Sequence, residues 1–226
     1  FGQTLVFDRL PFGDVLLFLS VAAIVTASLV AVFQPDLKRM LAYSSVGQIG
    51  YITLGISLAN APGLTGAIAH LFNHALAKGA LFLLAGGIAL RYGGTSFWQI
   101  AGLAARMPLT SFGVVLAGLS LIGIPGTAGF TTKWYLIVGA VERGYWLLAV
   151  LIVATSLIAV VYVWRFVEAA YFQAPAPEAP HPGEMPPMML VPAWLMVAGC
   201  VYFGLETSFN IGFAGQAADL LLRRMR

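Results

Sequence analysis

The chain has 226 residues, of which 60% are hydrophobic and only 9% charged, and its mean hydropathy is +0.89. A soluble domain carries roughly 25% charged residues, so this composition excludes a soluble fold and makes the chain integral to a membrane. The formal charge of +3 is too small, and its lysines and arginines too scattered, for a nucleic-acid footprint, and the single cysteine, Cys200, excludes a disulfide or structural zinc framework.

A bilayer-crossing helix takes about 20 mostly apolar residues. The chain opens on Phe1 and turns hydrophobic almost at once, so a preceding segment is expected. Val15 to Phe33 is the first predicted span, closed by Gln34, Pro35 and Asp36 with Lys38 and Arg39 just beyond. Ala42 to Ala59 is the second. It carries Tyr43, Ser44, Ser45, Gln48, Tyr51 and Thr53, too polar a set for lipid, so one side of it should face protein or water. Leu64 to Leu90 is the third, entered through Asn60, Pro62 and Gly63, and it contains His70, Asn73, His74 and Lys78.

Leu109 to Glu142 is divided by Gly123, Pro125, Gly126 and Gly129 into two apolar pieces, each too short to span alone. It reads as one broken helix hinged at Pro125, Gly126 and Gly129. Irregular backbone at membrane depth is tolerated only where it lines a cavity or is buried in protein, so the break points to a transport site. Tyr145 to Val167 is the fifth span, Ala174 to Pro187 a proline-rich connector, and Met188 to Leu205 the sixth span. The expected fold is all-α integral membrane, with about six transmembrane helices, one of them broken. Residues 1–208 form its transmembrane domain and residues 209–226 an amphipathic C-terminal tail, with Ala217 to Arg226 lying at the membrane interface. With the fourth span broken, Lys38, Arg39, Arg91, Arg106 and Arg165 fall on one side, which the charge rule makes cytoplasmic, and Arg9 and Arg143 on the other. Two full crossings in place of the broken one would instead bring Arg143 and the tail arginines inside.

His70, His74 and Lys78 stand at i, i+4 and i+8, within roughly 80° of one helix face and over about 12 Å of rise. A lysine at a helix centre costs about 2.5 to 3.5 kcal/mol on insertion scales, which asks for a functional reason. Snorkelling of Lys78 to the interface is the alternative, opposed by its place near the middle of its segment. The histidines could relay protons or could simply be packed polar residues bonded to carbonyls. Their spacing also suits a zinc site, but no Cys, Asp or Glu nearby completes one. Lys133 follows the break, where the positive end of its own helix dipole would disfavour its charged form; a lysine reaching water from a half-helix is the alternative. Between Asp36 and Glu142 there is no Asp or Glu, so no acid of that stretch can pair either lysine. Such lysines must lose their protons, draw on water and carbonyls, or find carboxylates elsewhere, and each option suits proton handling.

Three motifs in order, Asp36-Leu-Lys-Arg-Met-Leu-Ala-Tyr-Ser-Ser with Gly47-Gln-Ile-Gly, His70-Leu-Phe-Asn-His74-Ala-Leu-Ala-Lys78, and Gly123-Ile-Pro-Gly-Thr-Ala-Gly-Phe with Lys133, resemble the proton-pumping antiporter family. That family includes the large membrane subunits of respiratory complex I and of Mrp-type sodium/proton antiporters. The resemblance covers essentially the whole chain, which looks like the last six spans of a roughly fourteen-span subunit, including the second of two inverted repeats. It implies that Lys78 is the central lysine, His70 and His74 its relay partners, and Lys133 the lysine of the broken helix. Lys133-Trp-Tyr-Leu and Val161-Tyr-Val-Trp-Arg165-Phe-Val-Glu168 are most similar to the D-type large subunit of Mrp antiporters or its stand-alone relatives. The implied function is proton translocation through a Lys/His relay in a multi-subunit Na+/proton antiporter, or alternatively as the pumping subunit of an NADH:quinone oxidoreductase or membrane-bound hydrogenase. The implied partners are other membrane subunits and the N-terminal half of the same subunit, in a bacterial inner membrane. No cofactor is expected, because the nucleotide fingerprint and cysteine sets are missing, and redox chemistry would belong to partners.

Overall fold

A computed structural model describes residues 11–175 and 183–225. The first ten residues with Arg9, the middle of the proline-rich connector and Arg226 lie outside them. The described residues form α1 (Phe12–Val32), α2 (Leu37–Ser57), α3 (Ala61–Tyr92), a short α4 (Leu103–Arg106), α5 (Pro108–Ile122), α6 (Ala128–Glu142), α7 (Trp146–Val167, continued by a π turn over Glu168–Phe172), α8 (Pro187–Leu205) and α9 (Ser208–Met225).

Local chemistry sets the ends. The Asp36 carboxylate caps α2 by accepting from the Arg39 N–H at 3.0 Å, and it also accepts from the Thr95 hydroxyl at 2.7 Å, tying the α3–α4 loop to the start of α2. Asn60 caps α3, accepting from the Gly63 N–H at 3.0 Å, and Gly93 closes it at φ +74°. Among the described residues four helices are long and apolar enough to cross a bilayer: α1, α3, α7 with its π turn, and α8. The second crossing, α2, is too polar for that description, and its polar side faces inward as expected: Ser44, Gln48 and Tyr51 are all buried.

The α5–α6 segment makes one crossing. Contacts along α3 descend in step with it: Gly113 lies against Leu84, the Ala128 carbonyl accepts from Asn73, Thr132 meets His70, Leu136 packs on Gly66 and Gly139 on Gly63. Each half is 15 residues long, so the break falls at the middle of the crossing. At one end Arg165 donates to the carbonyls of Val32 and Gln34, and the Arg91 guanidinium to that of Glu184; at the other Arg143 donates to the Leu58 carbonyl. Arg143 therefore sits opposite Lys38, Arg39, Arg91, Arg106 and Arg165, as the broken-helix count requires.

The C-terminal region, expected as a sixth span and a tail, forms α8 and α9 packed along α3. α8 runs antiparallel to α3, with Met185 and Met189 against Gly87 and Gly86, Met196 against Gly79 and Phe203 against Phe72, and ends where Gly204 meets the backbone of Gly126 and Thr127 in the break. α9 continues along α3: Asn210 donates to Asn73 Oδ1 at 3.3 Å, and Gly215 lies near Thr65. The reason is side-chain size. Small residues at 214, 215 and 218 let α9 settle against α3, with Ala214 and Ala218 fully buried. Its first charge, Asp219, comes about 16 Å beyond Ser208, near the edge of a hydrocarbon core about 30 Å thick.

Where α2, α3 and α6 meet, glycines carry the contact. A Cβ at Gly139 would lie 2.7 Å from the Gly63 nitrogen, and one at Gly55 would lie 2.5 Å from the Gly63 carbonyl oxygen. Gly139→Val should therefore destabilise the protein by about 1–3 kcal/mol or more through overpacking against backbone, read as a lower thermal midpoint in detergent; an unchanged midpoint would contradict this packing.

Candidate functional site

The break places the hinge residues. Gly123 and Gly126 adopt φ +89° and +86°, open to glycine without strain, and Pro125 lies between them. Gly129 is required by proximity, since a Cβ there would collide with the Ser120 carbonyl oxygen. This approach brings Lys133 back over the end of α5. Its ammonium donates to the carbonyls of Leu121 at 3.1 Å and Ile122 at 2.7 Å and to Ser156 Oγ at 3.0 Å, and stands 5.0 Å from the centre of the Tyr51 ring. The dipole expected from the sequence is that of the half-helix carrying Lys133. The fold adds the opposing field, because these carbonyls are the negative end of α5.

Lys78, 6% exposed, is buried rather than snorkelling. It donates to the Leu41 carbonyl at 2.8 Å and to Ser44 Oγ, both on α2. Every hydrogen-bond acceptor of Lys78 and Lys133 among the described residues is thus a neutral carbonyl or hydroxyl oxygen.

The histidines lie on the α3 face between them. Their rings are nearly parallel, with centroids 6.1 Å apart. His70 is held from both sides: Nδ1 lies 2.8 Å from Thr132 Oγ1 and Nε2 lies 2.9 Å from Gln48 Oε1. A threonine hydroxyl can give or take a hydrogen bond, and a glutamine amide can do either by turning over, so both neutral tautomers of His70 can be satisfied. Moving from one to the other carries a proton from one face of the ring to the other. Tyr51 packs edge-on to His70 with ring centroids 5.8 Å apart, and its hydroxyl is 2.6 Å from Thr155 Oγ1. His74 Nδ1 has no hydrogen-bond partner among the described residues. A cavity of about 10 Å³ between Gln48, His70, Asn73, His74, Ser120 and Gly129 is close to the minimum for one water.

All four expected chemical residues, Lys78, His74, His70 and Lys133, thus belong to one array, in which Lys78, His70 and Lys133 are buried and His74 is half-buried. Missed in the sequence were Thr132, Thr155 and Ser156, whose small hydroxyls carry no signal until a partner is known. Gln48, Ser44 and Tyr51 read in the sequence only as polar residues of a protein-facing helix side.

These features define a class: an all-helical, multi-pass membrane protein with a mid-membrane helix break beside a Lys/His array. The family model described as NADH:quinone oxidoreductase/Mrp antiporter, TM, matches residues 6–159. The chain belongs to that family. It is 42% identical over 207 residues to NADH-quinone oxidoreductase subunit N of Desulforudis audaxviator (strain MP104C), an alignment covering 86% of this chain and 41% of that protein. Among solved structures it is similar to a chain of the Mrp complex from Dietzia sp. DQ12-45-1b, with a TM-score of 0.88, 26% identity and coverage of 93% of this chain and 47% of that one. It is also similar to a chain of the membrane-bound sulfane sulfur reductase, an archaeal respiratory membrane complex, with a TM-score of 0.80, 34% identity and coverage of 85% and 32%. The chain spans less than half the length of each of these relatives.

Replacing Gln48 by Leu leaves His70 Nε2 buried without a partner, so the protein should lose about 1–3 kcal/mol of stability. Thermal unfolding of the detergent-solubilised protein measures this, and Gln48→Glu should retain more stability than Gln48→Leu because it keeps an acceptor in place.

Proposed function

We propose that this chain carries protons within the membrane, passing them along Lys78, His74, His70 and Lys133. The observation that carries the proposal is that both lysines are buried and, among the described residues, bonded only to neutral oxygens, with the two histidines between them. A buried ammonium without a carboxylate is held by carbonyl dipoles alone, so a passing charge can tip it between holding and releasing its proton. His70 supplies the intervening step through its two tautomers, and His74 through the water-sized cavity beside it. Pro125, Gly126 and Gly129 serve the path by opening the backbone so that Lys133 can meet both half-helices.

Energy for net movement comes from partners, for the sequence has neither a nucleotide fingerprint nor a cysteine set for iron–sulfur clusters. The chain works beside other membrane subunits and the remainder of its own subunit, in the bacterial inner membrane. Two readings of the driving reaction follow. In the first, protons are exchanged for sodium in an Mrp-type complex, with this chain in the D-type position, a reading supported by the fold shared with the Dietzia Mrp complex. In the second, the chain is the pumping subunit of a quinone oxidoreductase or related redox complex, supported by its 42% identity to a subunit N.

Lys78→Ala in the full-length parent protein should lower proton-coupled transport in vesicles by about 100-fold or more, on the scale of removing a positioned proton-transfer group. Lys78→Arg should not restore it, because a guanidinium keeps its charge and cannot release a proton. Wild-type transport by Lys78→Ala would sink the proposal. Purifying the parent protein in mild detergent separates the two driving reactions: chromophore-free hydrophobic partners indicate cation exchange, and partners with flavin or iron–sulfur absorption indicate a redox complex.

A further inference from the structure

The gap between α8 and α9 carries an exposed carboxylate at the depth of the break. Gly204 touches the backbone of Gly126 and Thr127, so Glu206, two residues on, lies at most about 7 Å from Gly204 and so near the depth of the break, whereas the hydrocarbon core extends about 15 Å to either side of its centre. Asn210, bonded to Asn73, and Phe203, packed on Phe72, fix the same depth from both sides. Glu206 is nonetheless exposed, as are its neighbours Leu205 at 74% and Phe209 at 65%. Lys78 and Lys133, the described cations at this depth, are both buried away from it.

Two physical objections stand against lipid on this face. A carboxylate in the hydrocarbon core is expensive. The interruption between α8 and α9 also leaves backbone groups outside regular helical bonding, which is tolerated only against protein or water. Within the chain Glu206 acts as a cap: the Ser208 N–H donates to Oε1 at 3.0 Å, and the Ser208 hydroxyl donates to the same oxygen. Oε2 has no such partner among the described residues. The negative charge suits the N-terminal end of α9, and Oε2 is left to meet a further cation.

We propose that the face around Leu205, Glu206 and Phe209 docks a transmembrane helix of another subunit, which places a lysine or arginine against Glu206 Oε2. A second copy of this chain offers no such cation among its described residues, since its membrane-depth lysines are buried. Charge complementarity thus argues against a second copy, and the multi-subunit reading points to another subunit. The apolar cleft of about 520 Å³ between α3 and α9, lined in part by Phe72, Phe209 and Phe213, lies on the same side and gives side chains of that helix room to seat. This inference rests on the reading of the chain as one member of a multi-subunit membrane complex.

The test uses the full-length parent protein in its native membrane, with a benzophenone amino acid in place of Leu205, so that Glu206 is kept. Irradiation should give an adduct with another subunit, at a transmembrane position within two helical turns of a lysine or arginine. Adducts only with lipid, or only with the parent protein's own remaining chain, overturn the proposal, as does reaction of a Glu206→Cys variant with a membrane-impermeant maleimide in the intact complex. Independently, Glu206→Lys should reduce co-purification of that partner by about 10-fold or more, and exchanging the partner's basic residue for Glu should restore it; retention at the wild-type level overturns the charge pairing. Partners that co-purify without an adduct at position 205 defeat this docking face alone, whereas a parent protein that purifies without partners defeats the multi-subunit reading as well.

Discussion

At the end of α5 the carbonyls of Leu121 and Ile122 have lost their helical partners in the middle of a bilayer, and the Lys133 ammonium answers them. In hydrocarbon an unanswered carbonyl costs several kcal/mol, so a helix broken there needs a donor. A lysine from the following half-helix supplies it, and in doing so becomes a buried cation with no carboxylate partner among the described residues. The same contact thus secures the break and creates the chemistry.

The neighbouring elements are arranged around that contact. Gly129 lets α6 approach the Ser120 carbonyl, Tyr51 of α2 offers its ring to the ammonium, and Ser156 of α7 takes the third hydrogen bond. Thr132, one residue before Lys133, holds His70 and so links the break to the α3 stripe that ends at Lys78. Gln48 and Ser44 of α2 complete the stripe from the other side. Because Lys78, His70 and Lys133 are satisfied by neighbours, the array persists in an apolar surround.

The second interruption, between α8 and α9, is of a different kind. It is pinned internally by Asn210 on Asn73 and by Gly204 on the first break, yet it turns a carboxylate outward. The two breaks share a depth and divide the work: one gathers cations inside the protein, and the other presents an anion on its surface.

The sequence by itself determined the membrane class, the span order and the broken fourth crossing, because hydropathy, glycine and proline act locally and bilayer thickness fixes the length of a span. It also singled out His70, His74, Lys78 and Lys133, since helical spacing puts the first three on one face and any intramembrane charge stands out against an apolar background. Only the tertiary structure could say what each of these touches. Gln48, Thr132 and Ser156 lie 22, 62 and 23 positions from the groups they contact, and nothing local encodes such pairings. The field at Lys133 likewise needed the fold, because it comes from α5 as much as from its own helix. The path of α9 was hidden for a related reason: a low-hydropathy helix reads as a surface tail until small residues such as Ala214 and Ala218 are found packed against α3.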